Sequence, residues 1–314
     1  DAKNDRLEAS NPVIRDFYKE KDVVMEERRM RTESNPIGKL VEEFLAVAYK
    51  SHPYKEPVIG HISDLEGITH DEALAFFKKY YVPSNMAIAI VGDVDPKETI
   101  RLAEMYFGRI PAGPPPPAVR TVEPEQKSER SVVLREESQR ILLLGYKKGS
   151  VNHPDDAVYE AISDILSSGR TSRLYKSLVR DKKLAIQAAG FSGFPGQKYP
   201  NLFAFFAVAA QGKTNDECLA AIDVEIAKMK KDPVGDEELK AVKTRARANL
   251  IRGLSSDAGM ADQLTFFQAM TGDWRNLFKQ LDKINAVTAA DIQRVANSVF
   301  VNSNRTIGTI EPVK

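Results

Sequence analysis

The sequence predicts an α+β fold with two tandem homologous domains, each an antiparallel-rich sheet packed with helices. The chain has 314 residues, which is about twice the usual domain size. A proline-rich segment interrupts it, and strand-like runs cluster beside helical runs instead of alternating with them. We therefore predict a first domain over residues 1–110, a linker over 111–119 and a second domain over 120–314.

The first domain is predicted to be mainly helical, with one strand. Helical periodicity, a capping-box pattern at Thr69 and Glu72, and an apolar run that ends at a glycine define its elements. In order, these are helices over Phe17 to Arg31 and Leu40 to Lys50, a helix opened by Thr69, a buried strand over Met86 to Val91, and a helix from about Pro96 to Phe107.

The second domain follows a linker that contains four consecutive prolines, which favour extended backbone and cannot donate ladder hydrogen bonds. Apolar and β-branched runs predict five strands, and the segments between them have helical periodicity. The strands are expected at Ser131 to Leu134, Arg140 to Tyr146, Leu184 to Phe191, Leu202 to Ala209 and Thr306 to Ile310, with helices near Asp155 to Leu166 and Ser172 to Arg180.

An internal repeat relates the two halves of the chain. The capped helix, turn and strand that begin at Thr69 recur from Thr288, an offset of 288 − 69 = 219 residues. Chance recurrence is the alternative, because such elements are common in α+β proteins. If the second copy begins near Arg120, its counterpart begins near 120 − 219 = −99, so the first domain is expected to be truncated at its N-terminus.

Composition excludes several classes of partner and site. The 45 basic and 44 acidic residues give a net charge of +1, which predicts neither nucleic acid nor an anionic membrane surface as a partner. The single cysteine, Cys218, excludes an intramolecular disulfide and a cysteine-rich zinc module. No apolar run approaches the ~20 residues of a membrane span, so we expect none.

The residues alone offer little catalytic chemistry. The four histidines are scattered, and none has the helical spacing that brings two imidazoles to one metal. One carboxylate pair stands out: Glu20 and Glu27 lie seven positions apart on a predicted helix and therefore share a face. They could provide a metal ligand and an acid supporting it. The alternative is a solvated face whose acids pair with nearby arginines.

The segment from Glu20 to Met30 reads E-K-D-V-V-M-E-E-R-R-M and resembles a helix of the pitrilysin-like zinc metallopeptidases, the inverted zincins that include mitochondrial processing peptidase. Further motifs follow in the family's order: His52-Pro53-Tyr54, Ile59-Gly60, Tyr80 to Asn85, Val91 to Val94, Tyr106 to Gly108, and Ser172 to Tyr175 with Leu178. The resemblance covers essentially the whole chain. It implies two tandem α+β domains, in agreement with the repeat.

The resemblance also implies a zinc site in the first domain. Glu27 falls on the family's third zinc ligand, and Glu20 falls on an acid that orients or supports the site. The family's H-x-x-E-H helix, with two histidine ligands and the general base, lies about 80 residues before the distal glutamate, near 27 − 80 = −53. No H-x-x-E-H occurs in residues 1–314, so this chain alone is expected to be inactive.

On the substrate side, many relatives carry an Arg and a Tyr seven apart that hold the substrate carbonyl and the developing oxyanion. The corresponding positions here are Val179 and Ile186. The resemblance therefore implies a peptide substrate and a homologous partner subunit, in a hetero- or homodimer, that supplies the pair. Alternatively, Arg180 replaces the missing Arg after a shift of one residue.

The function implied is that of a zinc-dependent metalloendopeptidase subunit that cleaves peptides or unfolded segments in an enclosed chamber. The alternative is a non-catalytic structural or assembly subunit of the same fold, as in core subunits of respiratory complexes. Relatives occur in bacterial envelopes and in organelles, and we expect the bacterial periplasm or cell envelope for this protein.

Overall fold

The computed structural model describes residues 12–313 of the chain. Its helices in chain order are α1 Pro12–Arg28, α2 Pro36–Ala48, α3 Ile62–Gly67, α4 His70–Tyr80, α5 Pro96–Phe107, α6 Asp156–Ser167, α7 Asn215–Lys231, α8 Asp236–Gly253, α9 Asp257–Thr271, α10 Asn276–Ala286 and α11 Ala289–Val299. The strands are β1 Arg130–Glu136, β2 Ile141–Lys148, β3 Ala185–Phe194, β4 Asn201–Ala209 and β5 Arg305–Pro312. Single 3₁₀ turns cover Pro53–Lys55, Pro83–Asn85, Gly169–Thr171 and Asn302–Asn304, and π-helical turns cover Arg29–Glu33 and Tyr175–Asp181.

The chain divides into two compact units whose sequence segments alternate. The first holds the residues through Ser34, Pro57–Arg120 and Gly253–Trp274. The second holds Asn35–Glu56, Thr121–Arg252 and the residues from Arg275 onward. Residues 35–56 interrupt the first unit, and residues 253–274 interrupt the second. The two segments start and end at equivalent positions of the repeat, because 253 − 35 and 274 − 56 both equal 218, within one residue of the repeat offset. The homologous-domain ranges 1–110, 111–119 and 120–314 stay a prediction.

The second unit is an α+β structure built on one five-stranded sheet, which confirms the predicted fold class. The strand order is β1-β5-β2-β4-β3, and all neighbouring strands are antiparallel except β1 and β5. Each of the five predicted strands is present. Among the residues that the structure covers, no helix is long and apolar enough to span a membrane.

Helices cover both faces of this sheet, and alternation along β2 and β4 divides the core between them. Leu142 and Leu144 face a cluster that includes residues of α6, α7 and α11. Ile141 and Leu143 face a second cluster, which α2 covers with Phe44 and its neighbours. Such a sheet, buried on both faces, explains the nearly continuous apolar runs of the sequence.

Helix α2 lies close to the sheet because two strand positions have no side chain. A Cβ atom at Gly145 would lie 2.8 Å from Cζ of Phe44, and one at Gly308 would lie 3.0 Å from its Cδ2. The helix begins locally at Asn35, whose side chain accepts hydrogen bonds from the N–H groups of Ile37 at 2.9 Å and Gly38 at 3.3 Å.

The first unit contains α1, α3, α4, α5 and α9 and has little core of its own among the described residues. Its buried residues there are Tyr18, Lys21, Arg28 and Phe267. The predicted buried strand over 86–91 is wrong in this structure: the segment pairs with no strand in residues 12–313. Met86, Ile88 and Ile90 are 53%, 64% and 51% exposed.

The repeat shows which strand of the second copy this apolar segment corresponds to. In both copies a capping box opens the helix, at Thr69 with Glu72 and at Thr288 with Asp291. In both, the turn asparagine donates to a carbonyl five residues earlier at 2.9 Å, from Asn85 to Tyr80 and from Asn304 to Val299. The strand that follows in the second copy is β5, which β1 and β2 flank on both sides. The equivalent segment of the first copy has the sequence of a strand but no neighbours in the described structure.

Candidate functional site

Two buried cations fix the rotation of α1. Lys21 Nζ donates to the carbonyls of Glu66 at 2.8 Å and Ile68 at 3.1 Å, and Arg28 Nη1 donates to the carbonyl of Gly60 at 2.6 Å. Lys21 thus binds at the C-terminal end of α3, where free carbonyls and the helix dipole favour a cation. Because Lys21 and Arg28 are also seven positions apart, they define the inward face of α1.

Glu20 and Glu27 each precede one of these cations and therefore lie about 100° away around the same helix. The α-helix is continuous from Pro12 to Arg28, so the two acids share a face as the spacing predicts. Glu20 is exposed, and Glu27 has 36% of its side chain exposed. The structure thus places both carboxylates on an accessible stripe of a helix that is fixed in rotation. Their predicted roles at a metal stay predictions.

Glu27 already has a partner, but a weak one. Its carboxylate pairs with Arg31 at 2.8 Å, and the Arg31 side chain is 76% exposed. Exposed pairs of this kind contribute about 0.2–1 kcal/mol. Glu27 can therefore leave Arg31 and bind a metal ion at little cost in free energy. Pairing with an arginine thus does not compete strongly with metal binding.

The described residues do not fit zinc by themselves. Residues 12–313 contain no group of three or more His, Cys, Asp or Glu side chains that could hold a metal. The histidines have other contacts: Nδ1 of His52 accepts from the Tyr54 N–H at 3.1 Å, Nδ1 of His153 accepts from the Asp155 N–H at 3.1 Å, and the His70 ring packs against Phe17 at 5.6 Å. Since a zinc site needs at least three protein ligands, no reaction step can be derived from this part of the chain.

The predicted substrate-holding positions carry aliphatic side chains. Val179 lies in the π-helical turn Tyr175–Asp181, and Ile186 lies on β3 with 60% of its surface exposed. Neither can donate a hydrogen bond to an oxyanion. Arg180, the alternative, is bound by both carboxylate oxygens of Asp181 at 2.6 and 3.1 Å. Both side chains are more than half exposed, so the Arg180 guanidinium could leave that carboxylate for a substrate at little cost in free energy.

Sequence reasoning missed one charged site, which lies in the second unit. Glu123 accepts from the N–H groups of Lys50 at 2.8 Å, Ser51 at 2.8 Å and His52 at 3.0 Å, and from Lys147 Nζ at 2.5 Å. Burial opposes ionisation, but the Lys147 bond and the backbone N–H bonds outweigh it and lower the pKa of Glu123 to about 2. The partners lie 24 to 73 residues away, so no local pattern signals this site.

Comparisons with known proteins identify the family. The family model described as the peptidase M16 inactive domain matches residues 67–246, which is more than half of the chain. The chain belongs to the peptidase M16 family, and this confirms the pitrilysin-like resemblance. The match is to the domain that the family description calls inactive, in keeping with the lack of an H-x-x-E-H motif.

Individual relatives agree with this assignment. The chain is 29% identical over 303 residues to the zinc protease PqqE of Helicobacter pylori, covering 95% of this chain and 67% of that protein. The crystal structure of a protease from Helicobacter pylori superposes with a TM-score of 0.89 at 29% identity, covering 94% of this chain and 72% of that one. A chain of complex III2 from Candida albicans superposes with a TM-score of 0.77 at 15% identity, and the match covers 93% of this chain and 70% of that one. This likeness shows the fold alone. The chain spans about two thirds of the length of the protein relatives it matches.

Proposed function

We propose that this chain is the larger part of a zinc-dependent metalloendopeptidase subunit, with Glu27 as one zinc ligand and Glu20 as a supporting acid. The observation that carries the proposal is the accessible stripe of Glu20 and Glu27 on α1, whose rotation Lys21 and Arg28 fix. A carboxylate beside two imidazoles is a common zinc ligand set, and acids near such a site orient the ligands.

The exposed apolar surface of the first unit supports the view that a further segment completes it. Phe76 and Phe77 of α4 are 58% and 54% exposed, and the apolar segment 86–91 has no strand neighbour in the described residues. Because large apolar side chains are usually buried, these residues are expected to pack on additional strands of the first domain. We propose that the same additional segment supplies the histidine ligands and the general base. The 314-residue chain would then be inactive alone.

The second unit would need an Arg and a Tyr from another subunit to hold the substrate. Val179 and Ile186 cannot replace an Arg and a Tyr. We therefore propose a homologous partner subunit, in a hetero- or homodimer, that provides the pair for a peptide substrate. The bacterial periplasm or cell envelope is the proposed location.

Hydrolysis of an unfolded protein substrate tests the role of Glu27. In the full-length protein, Glu27→Gln should abolish chelator-sensitive hydrolysis, because the amide removes an anionic ligand of the same shape. Glu26→Gln is the matched control: Glu26 is the preceding residue, is exposed and pairs with Arg29 at 2.9 Å. Hydrolysis that persists unchanged in Glu27→Gln would reject the assignment.

A second candidate is a non-catalytic structural or assembly subunit. The description of the matched family domain as inactive and the aliphatic residues at positions 179 and 186 favour it. A full-length protein that co-purifies with a homologous partner and hydrolyses no peptide, with or without added zinc, would support this candidate and contradict the first.

A further inference from the structure

We propose that a groove between α8 and α10 of the second unit binds an acidic, extended polypeptide segment. The groove has a volume of about 490 Å³. Three cationic side chains of α8 line it, Lys240, Lys243 and Arg247, together with one acid, Asp236. The local charge is therefore +2, three minus one, on a chain whose total charge is +1. The proposal does not depend on zinc chemistry.

The three cations form a linear array. Positions 240, 243 and 247 recur at the spacing of one helix face, and they span about 10 Å along the axis at 1.5 Å per residue. An extended peptide rises about 3.3 Å per residue and presents every second side chain on one side, about 7 Å apart. Two or three acidic side chains at alternate positions of an extended segment therefore match the length of the array.

These cations differ from two other charged residues of α8, Glu238 and Arg245, which already have a guanidinium and a carboxylate partner. Glu238 binds Arg173 through two hydrogen bonds of 2.9 and 2.6 Å, and Arg245 Nε binds both carboxylate oxygens of Asp164 at 2.9 and 3.0 Å. In contrast, Lys240, Lys243 and Arg247 form no ion pair within the described residues.

Lys243 is held in position without being neutralised. Its Nζ donates to the carbonyl of Asn285 at 2.7 Å, near the C-terminal end of α10. The side chains of Lys240 and Arg247 are exposed on either side of it along α8. The groove thus presents one fixed ammonium between two adaptable cations, which suits carboxylates on a flexible chain.

Apolar lining favours a polypeptide over a simple anion. Leu239 of α8 and Leu281 of α10 line the groove beside the cations. An inorganic anion would satisfy the charges but leave these leucines in water, whereas the side-chain methylene groups of glutamates that face the groove would cover them. The occupant that fits best is an extended segment with glutamates at alternate positions.

The test is a calorimetric titration of the 314-residue chain with the peptide acetyl-Gly-Glu-Leu-Glu-Leu-Glu-Gly-amide and with its Gln counterpart. The Glu peptide should bind saturably and at least tenfold more tightly than the Gln peptide, about 1.4 kcal/mol. The double variant Lys240→Glu with Arg247→Glu should weaken binding of the Glu peptide at least tenfold. A control variant with the same change in net charge, Lys198→Glu with Lys231→Glu, should stay within twofold, because neither lysine lines the groove.

Several outcomes would overturn the proposal. These are the absence of saturable binding, equal affinity for the Glu and Gln peptides, or equal weakening in the groove variant and the control. Inorganic tripolyphosphate is titrated separately. If it binds as tightly as the Glu peptide, the groove is a simple anion site and the assignment of a polypeptide is wrong. Circular dichroism of both variants shows whether each is folded as the parent chain is.

Discussion

Replacing Glu123 with glutamine should destabilise the second unit strongly at neutral pH. The Glu123 side chain is 6% exposed and receives four hydrogen bonds, one of them from Lys147, whose side chain is 16% exposed. A glutamine can accept some of the N–H bonds, but it leaves the Lys147 charge without a counterion. Removing one partner of a buried charged pair is costly for this reason.

The magnitude follows from the pKa of Glu123. Folding lowers that pKa from 4.5 to about 2, which corresponds to about 3 kcal/mol of stabilisation of the ionised form. Since the pKa is lower in the folded state, the stabilisation is complete above a pH of about 4.5 and is lost as the pH falls toward 2. We therefore expect Glu123→Gln to lower the free energy of unfolding by about 3 kcal/mol at pH 7, and by progressively less below pH 4.5.

Urea unfolding followed by circular dichroism at pH 7, 4 and 3 measures the difference, and hydrogen exchange of β2 and β4 shows that the second unit is the part affected. Glu125→Gln is the matched control, because the Glu125 side chain is 78% exposed and pairs with the exposed Lys127. It should change stability by less than about 0.5 kcal/mol. A Glu123→Gln variant as stable as the parent at pH 7, or a difference that does not shrink in acid, would refute the reasoning.

Two further substitutions test the packing of each unit. Phe44→Ala should lower the free energy of unfolding of the second unit by about 3–5 kcal/mol in urea titrations, because Phe44 is fully buried between α2 and the sheet. The control is Ile37→Ala on the same helix, which should lower it by less than about 1 kcal/mol because Ile37 is 42% exposed. Equal losses would contradict the assigned packing of α2. Arg28→Ala should raise hydrogen exchange in α1 and around Gly60 by removing the 2.6 Å bond, and the exposed Arg29→Ala should not. Unchanged exchange in Arg28→Ala would show that Arg28 does not fix α1.

The strands of the second unit could be predicted because local sequence and tertiary environment agree there. Their apolar runs match a sheet that helices bury on both faces, and all its strands lie within the described residues. Residues 86–91 do not form the strand that their sequence predicts. An apolar run predicts burial, but burial requires neighbouring strands, and residues 12–313 do not provide them for this segment.

Features that join distant parts of the sequence could not be predicted. In contrast, the shared face of Glu20 and Glu27 could be predicted, because it requires only a continuous helix, and α1 provides one. The rotation of this helix, however, is fixed by hydrogen bonds of Lys21 and Arg28 to residues 32 to 47 positions away. Likewise, nothing in the pattern of α2 predicts that its segment groups with the second half of the chain. Helical periodicity identifies the apolar face of a helix but not the surface that it covers.

The zinc content of the full-length protein, measured by mass spectrometry after dialysis, tests directly whether Glu27 is a zinc ligand. We expect one zinc per full-length chain, at least tenfold weaker zinc affinity in Glu27→Gln, unchanged affinity in Glu26→Gln, and no bound zinc in the 314-residue chain. Full zinc occupancy and unchanged affinity in Glu27→Gln, or tight zinc binding by the 314-residue chain alone, would contradict this expectation.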